Sequence, residues 1–228
     1  MKRTALKDLL WLLALAIITA FLIIPATQEI FIQWTKDHPY WMGFFKFAIL
    51  ATMGELLALR LANRSWKKPT GMFYKIIVWG LIGVLITFMF SFYSEGVSAM
   101  IEQREILPWH GFSFTLFTAF LTSVIMNLTF GIVFMAMHRI SDTYIEMRFN
   151  HAKPSFKELI ESINWNAFIT FVVGKTIPLF WIPAHTITFT LPPYLRVIVA
   201  AYLSIILGLI LAYANRKSMD RTAPHNSG

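Results

Sequence analysis

The sequence predicts an all-α protein, a polytopic bundle of transmembrane helices, and three observations carry that prediction. Of the 228 residues, 57% are hydrophobic and 14% are charged, whereas an ordinary soluble domain has about 25% charged residues. The mean hydropathy is +0.59. Several apolar runs approach or exceed the roughly 20 residues that cross a bilayer as a helix, and the alternating segments of about 10 residues typical of a transmembrane barrel are missing.

Six apolar segments divide a single bundle over residues 1–217, which a polar tail over 218–228 follows. The first segment comes after a basic start, as in a signal peptide, but it is long for such a peptide and no A-x-A site follows it. We therefore expect a retained helix, with a cleaved signal peptide as the alternative. The six segments are 9–24, 40–61, 72–92, 112–137, 165–191 and 194–214.

The distribution of Lys and Arg predicts that all six segments cross and that the N- and C-termini are both cytoplasmic. Loops on the cytoplasmic side carry an excess of Lys and Arg. With the N-terminus inside, only Lys36, Arg104 and Arg196 lie outside. If the fifth segment did not cross, the basic residues after the sixth would lie outside as well. The cytoplasmic set is Lys2, Arg3, Lys7, Arg60, Arg64, Lys67, Lys68, Lys75, Arg139, Arg148, Lys153, Lys157, Arg216, Lys217 and Arg221.

The connection between the fourth and fifth segments predicts an amphipathic helix on the membrane surface, over about residues 155–164. Ser155 and Glu158 have the spacing of a capping box and follow a proline. Helices of this kind lie in the interface with their apolar side buried. Apolar residues recur at helical intervals on one face: Phe156, Leu159, Ile160 and Ile163.

Lys175 is the charged residue that lies deepest in a predicted span. It lies about ten residues, or about 15 Å, into the fifth segment. A lysine that faces lipid at this depth is costly, so we expect Lys175 to face the bundle interior. Glu55, in the second segment, is the carboxylate that could pair with it. The alternative for Glu55 is that it reaches the nearby cytoplasmic surface by snorkelling.

The fifth segment also contains prolines, which predict a broken span with a hinge at Pro178 and Pro183. Each proline removes a helical hydrogen bond and clashes with the preceding turn. Transporters use broken spans at substrate sites, although simple kinking is the commoner cause of an intramembrane proline. Pro192 and Pro193 instead predict the turn that leads into the sixth segment.

Polar residues inside the spans predict either an aqueous path or a packing seam. Thr87, Ser123 and Asn127 belong to stripes of small residues at four-residue spacing, in the third and fourth segments. Such stripes let helices approach closely in lipid, but the same hydroxyl and amide groups can solvate a polar solute. His185 in the fifth segment is a further candidate for the path, or for a proton site.

The sequence does not indicate an enzyme, a cofactor or a metal site. Cysteine is absent, which excludes thiolate ligands and cysteine nucleophiles, and no H-x-x-x-H or H-E-x-x-H pair is found. The stretch "GELLALR" misses the E-E-x-x-x-R signature of intramembrane proteases of the CAAX type. Gly54 stands in place of the first glutamate, and Arg60 falls one residue too far along.

The stretch "FWIPAHTITFTLPPYLR" resembles the W-P-x-x-Q-x-x-N-F-x-x-V-P-x-x-x-R signature of the Mpv17/PMP22 family. "HPYWMGFFKFAILATMGELLALRL" is similar to the first helix of that family, and the resemblance covers about residues 37–217. It departs from the pattern in the extra Ile182, in a shorter interval between the prolines and in the missing Gln and Asn. The matching residues are Trp181, Pro183, Phe189, Pro192 and Arg196.

The resemblance implies a distant bacterial member of a family of small helical membrane proteins, here placed in the plasma membrane. Its members are proposed to act as channels or to influence membrane permeability. With the polar residues in the spans, it predicts passage of small solutes or ions through the bundle. The alternative is a structural or interaction protein without a conducting path. The expected partners are the lipid bilayer and a small solute or ion, the sequence is compatible with an oligomer, and the net charge of +8 reflects topology rather than nucleic acid.

Overall fold

The computed structural model describes residues 2–103, 111–150 and 153–222, with side chains described for 4–103, 111–150 and 153–210. Within these residues the chain forms helices and no strand, as the sequence predicts. The last six residues of the predicted polar tail lie outside the described residues, and α8 continues to Thr222. The helices are α1 (Lys2–Ile23), α2 (Pro25–Asp37), α3 (Pro39–Asn63), α4 (Met72–Gln103), α5 (Phe112–Phe149), α6 (Phe156–Glu161), α7 (Trp165–Thr190) and α8 (Pro193–Thr222).

Six of these helices, α1, α3, α4, α5, α7 and α8, are long and apolar enough to cross a membrane. This confirms the predicted all-α fold with six helices that could span a membrane. Three helices extend well beyond the ends of the predicted spans: α4 ends at Gln103 rather than at 92, α5 at Phe149 rather than at 137, and α8 at Thr222 rather than at 214. The extension of α5 matters for function, because it brings acidic side chains into the bundle.

The short helix α2 was not predicted, because its 13 residues are too polar for a span. It starts at Pro25, a favoured first residue of a helix. Its buried side chains cover Lys46 of α3, which is 5% exposed. The Lys46 ammonium donates to Thr35 Oγ1 at 3.0 Å and lies 4.6 Å from the ring centre of Phe31. Lys46 therefore points into protein instead of snorkelling to the surface.

A helix, α6, forms within the predicted range 155–164, and it is shorter than predicted. Ser155 accepts from the backbone N–H of Glu158, and the Glu158 carboxylate accepts from the backbone N–H of Ser155 at 2.7 Å, so the capping box is complete. The hydrogen bonds from the backbone and hydroxyl of Ser155 lower the pKa of Glu158, because they favour the charged carboxylate. Leu159 is buried and anchors the helix on the bundle.

The centre of the bundle is α3, which packs closely on α4 and on α8. A Cβ atom on Gly83 of α4 would overlap the carbonyl oxygen of Gly43 and lie 2.8 Å from Cβ of Phe47. A Cβ atom on Gly208 of α8 would lie 3.3 Å from the carbonyl oxygen of Gly54. Only small residues allow backbones to approach this closely. We call α3, α4 and α8 the tight half of the bundle.

The helices α5 and α7 pack on each other, and both change winding along their length. The helix α5 is π-helical over Asn127–Gly131, and α7 is π-helical over Phe168–Trp181. We call α5 and α7 the wide half, because a π-helix is wider than an α-helix and is rare outside single turns.

The predicted break of the fifth span is not seen. The helix α7 continues through Pro178 and Pro183 to Thr190. Near the prolines the backbone N–H of Ile182 bonds to the carbonyl of Ile177, five residues earlier. We attribute the continuity to this wider winding, which gives a proline ring space that an α-turn does not provide.

The first helix, α1, lies at the periphery, since none of its apolar window is buried. Polar contacts hold it in place. Arg60 of α3 forms a bidentate pair with Asp8 at 2.8 and 2.9 Å, and the indole of Trp66 donates to the same carboxylate. Thr19 and Tyr202 share a hydrogen bond of 2.8 Å, which links α1 to α8.

Candidate functional site

A central cavity of about 260 Å³ lies between the tight half and the wide half. Its walls are mostly apolar, and its polar groups lie in two places. Asn127 and His138, which both belong to α5, are about 16 Å apart along the helix axis at 1.5 Å per residue. The cavity thus covers about half of the roughly 30 Å of hydrocarbon in a bilayer. The polar lining residues are Glu55, Trp79, Asn127, His138, Trp181, His185 and Ser204.

Beside one end of the cavity lies a group of charged side chains that we call the ionic cluster, of which Glu55 and His138 line the cavity: Glu55, Lys75, His138, Asp142 and Glu146. The Lys75 ammonium donates to Glu55 at 2.8 Å and lies 3.4 Å from Glu146 and 3.8 Å from Asp142. The Lys75 side chain is 6% exposed. Three carboxylates therefore surround one ammonium, and they join α3, α4 and α5.

Aromatic rings line the cavity beside the ionic cluster. The indole of Trp79 donates to Glu55 Oε2 at 3.3 Å, and its ring meets His138 edge-on at 4.3 Å. Phe134 stacks on His138 at 6.4 Å, and Phe130 stacks on Phe134 at 5.6 Å. Phe130, Phe134 and His138 are spaced four residues apart, which places their rings on one face of α5.

Several polar atoms around the cavity have no hydrogen-bond partner among the described residues. Nδ1 of His138 and Nε1 of Trp181 are buried and unpaired, and both residues line the cavity. Oδ1 of Asp142 is also buried without a hydrogen bond. Buried polar atoms are nearly always paired, so unpaired ones indicate an absent ligand or water. Within the described part of the chain, no three His, Asp or Glu side chains are arranged to hold a metal ion.

The other end of the cavity holds three side chains that we call the amide node: Ser123, Asn127 and His185. Asn127 lies 3.1 Å from Nδ1 of His185 and donates to the carbonyl of Ser123 at 2.8 Å. The hydroxyl of Ser123 donates to the carbonyl of Ile182 at 2.8 Å. All three side chains are buried. The structure thus brings together three residues that the sequence suggested for a polar path.

Thr87 lies elsewhere, in the seam between α3 and α4. It is buried, its hydroxyl donates to the carbonyl of Gly83 at 2.8 Å, and it contacts Gly43. It does not line the central cavity. For this residue the packing seam is therefore the better interpretation of the stripe.

The predicted pairing of Lys175 with Glu55 is wrong. Lys175 is exposed on the outer face of α7, whose buried side is formed by Thr176, Ile177 and Phe168. Glu55 instead binds Lys75. A position along the helix does not say which face of the helix a residue occupies.

The five residues of the family resemblance have different positions. Trp181 stacks on His185 at 5.0 Å, and Phe189 is buried. Arg196 donates to the carbonyl of Leu191 and to Ser94, and its guanidinium lies 5.6 Å from the ring of Phe189, so it fixes the turn between α7 and α8. Pro183 and Pro192 are exposed.

Sequence reasoning missed most of the ionic cluster. Lys75 was considered only as one of the cytoplasmic basic residues, and Asp142 and Glu146 come after the predicted end of the fourth segment at 137. The spacing of His138, Asp142 and Glu146 at i, i+4 and i+8 carried a signal, since such residues share one helix face. That signal could be used only with the knowledge that α5 continues to Phe149 and so includes all three residues.

Comparisons with protein-family models, with characterised proteins and with solved structures found no match. The resemblance to the Mpv17/PMP22 family therefore stays a hypothesis. The function has to be inferred from the central cavity and from the two polar groups of residues at its ends.

Proposed function

We propose that the protein is a transporter-like membrane protein that passes small solutes through the central cavity. The observation that carries the proposal is the cavity itself, which is apolar along its length and polar at both ends. The ionic cluster joins three helices at one end, and the amide node joins α5 and α7 at the other. Contacts of this kind across both ends favour gated passage over an open channel.

The winding of the wide half supports the proposal. The π-helical parts of α5 and α7 include Asn127 and Trp181, which both line the cavity. Short π-helical segments occur frequently at functional sites. A return to α-helical winding would turn the following side chains about the helix axis, so it offers a way to move the amide node.

The proposed orientation places the ionic cluster on the cytoplasmic side. That end of the bundle also carries Arg60, which pairs with Asp8 near the start of α1. The excess of Lys and Arg in the loops at this end follows the positive-inside rule. As part of the same proposal we retain a bacterial plasma membrane, a distant relationship to the Mpv17/PMP22 family and the absence of a catalytic role.

The test uses single cysteines, because the chain has none of its own. Ala51→Cys and Ser204→Cys place thiols in the cavity wall, and Ile49→Cys and Ile206→Cys place matched thiols on exposed faces of the same helices. In proteoliposomes, a water-soluble thiol reagent should label the first pair and spare the second, because only hydrated thiols ionise and react. Labelling at the cavity should also stop the uptake of small solutes.

Protection of both cavity thiols, together with no solute uptake above protein-free liposomes, would contradict the proposal. That result would favour a structural or interaction protein with a dry interior. Uptake that persists after the cavity thiols are blocked would show that solutes cross by another route.

A further inference from the structure

The charged end of the central cavity combines two features that together recognise a particular chemical class of solute. The first is an excess of negative charge. In their ionised forms, Glu55, Asp142 and Glu146 outnumber the ammonium of Lys75. A second positive charge beside Glu55 would reduce this excess, whereas an anion would be repelled.

The second feature is the aromatic wall next to that charge. Trp79, Phe134 and Phe130 line the cavity, and Trp79 also hydrogen-bonds Glu55. The face of an aromatic ring attracts a cation, and most strongly so for tryptophan. The apolar walls cannot replace the hydration shell of an inorganic ion, but they can hold the apolar body of an organic ion.

The unpaired atoms around the cavity give independent support for an absent ligand. The buried Nδ1 of His138 lies in the wall beside the ionic cluster, and the buried Nε1 of Trp181 lies near the amide node. These atoms indicate water or a ligand in the cavity, but they do not bond to a quaternary ammonium, which has no acceptor for the Trp181 N–H; they therefore support an occupied cavity and not the charge of its occupant. The packing of the protein side chains does not satisfy either of them.

We infer that the solute of this cavity is a hydrophobic organic cation, such as an aromatic quaternary ammonium ion. Its charge lies against Glu55 and the Trp79 ring, and its apolar body extends along Phe134 and Phe130. Lys75 occupies the carboxylates when the cavity is empty, so the cation competes with the Lys75 ammonium for Glu55. Describing the cation as a carried solute rests on the proposed function, whereas its binding does not.

The test measures binding to the full chain in lipid nanodiscs by titration calorimetry. The probes are benzyltrimethylammonium, neutral benzyl alcohol and anionic phenylmethanesulfonate, which share one aromatic body. We expect the cation to bind at least about tenfold more tightly than either of the others, which corresponds to the loss of one ionic contact. Equal binding of all three, or no binding of the cation, would overturn the inference.

Variants locate the site. Glu55→Gln should weaken cation binding by about tenfold or more, and Phe134→Leu by about threefold, because they remove the counter-charge and one ring. Glu161→Gln removes an exposed carboxylate of α6 and should change nothing. If Glu55→Gln does not fold, Phe134→Leu and the three probes still test whether the cation binds in this cavity. Unchanged cation binding in Phe134→Leu would contradict the proposed site.

Binding and passage can fail separately. Selective cation binding without uptake into liposomes supports this site and contradicts the proposed function. Uptake of neutral or anionic solutes through the cavity, without any cation binding, supports passage and overturns the inferred class of solute.

Discussion

The two halves of the bundle solve the problem of packing in lipid in different ways. In the tight half, glycines bring the backbones of α3, α4 and α8 into contact, and hardly any space is left between them. In the wide half, α5 and α7 are partly π-helical. The cavity lies where the two kinds of packing meet. Because lipid supplies no hydrophobic drive for helix association, close packing provides the stability and imperfect packing leaves space for a site.

The ionic cluster joins the two halves through buried charges, so its loss should have the largest effect. Lys75→Met leaves Glu55 and Asp142 without their ammonium partner. Removing one member of a buried ion pair costs about 3–5 kcal/mol. We expect a large fall in the midpoint of thermal unfolding, measured by circular dichroism in detergent.

Lys175→Met is the matched control, because Lys175 is exposed on α7 and has no part in the ionic cluster. Since a lysine on the outer face of a span is costly, this substitution should leave stability unchanged or raise it. The double variant Glu55→Gln with Lys75→Met should recover part of the loss of Lys75→Met. If Lys175→Met proved as damaging as Lys75→Met, the exposed position of Lys175 would be wrong.

A single added methyl group should separate the tight half from the wide half. Gly83→Ala forces a Cβ atom into the backbone of α3 at Gly43, and overpacking of this kind costs about 1–3 kcal/mol. Gly174→Ala, in the π-helical part of α7, meets only the carbonyl of Ile169 in its own helix, at 3.4 Å. It should be neutral or slightly stabilising, since alanine favours helix over glycine.

Unfolding midpoints of the two alanine variants, measured side by side in the same detergent, test this difference. Equal losses in both would mean that the wide half is packed as closely as the tight half. The distinction between the two halves would then fail, and the cavity between them would need another cause.

The sequence was enough to predict six long apolar helices, because apolar length is a property of the chain alone. It was also enough to predict the capping box of α6, which joins residues only three positions apart. The sequence was not enough to predict which face of a helix a residue occupies. Lys175 and Lys75 are both lysines in apolar helices, and only the packing of α3 against α4 places Lys75 beside Glu55.

The amide node shows how far residue types can guide such a prediction. Asn127, Ser123 and His185 are costly groups in a span, so they are expected to bond with protein or water. That expectation does not say that they bond with one another, which depends on how α5 crosses α7. The π-helical winding of both helices could not be predicted from the sequence either. A proline predicts a disturbed hydrogen bond, but it does not predict how the backbone accommodates the disturbance.

Loss of the amide node should reduce stability less than overpacking of the tight half does. Asn127→Leu removes the hydrogen bonds to His185 and to the carbonyl of Ser123. Hydrogen bonds between membrane helices contribute about 1 kcal/mol. We therefore expect a moderate fall in the unfolding midpoint and a loss of solute uptake. Asn166→Leu makes the same change at an exposed position of α7 and should leave both unchanged.

The smallest effect should come from the cap of α6, which leads into the wide half. The pKa of Glu158 is lowered by the hydrogen bonds of Ser155, so the cap is intact above the ordinary glutamate pKa and is lost as the pH falls through the lowered value. Ser155→Ala should return the pKa of Glu158 toward its ordinary range, and Ser155→Thr should keep it low. Carbon-13 NMR of labelled glutamate measures both. Because α6 lies outside the cavity, cation binding should stay unchanged in Ser155→Ala, and a change would mean that the entry to α7 controls the winding of the wide half.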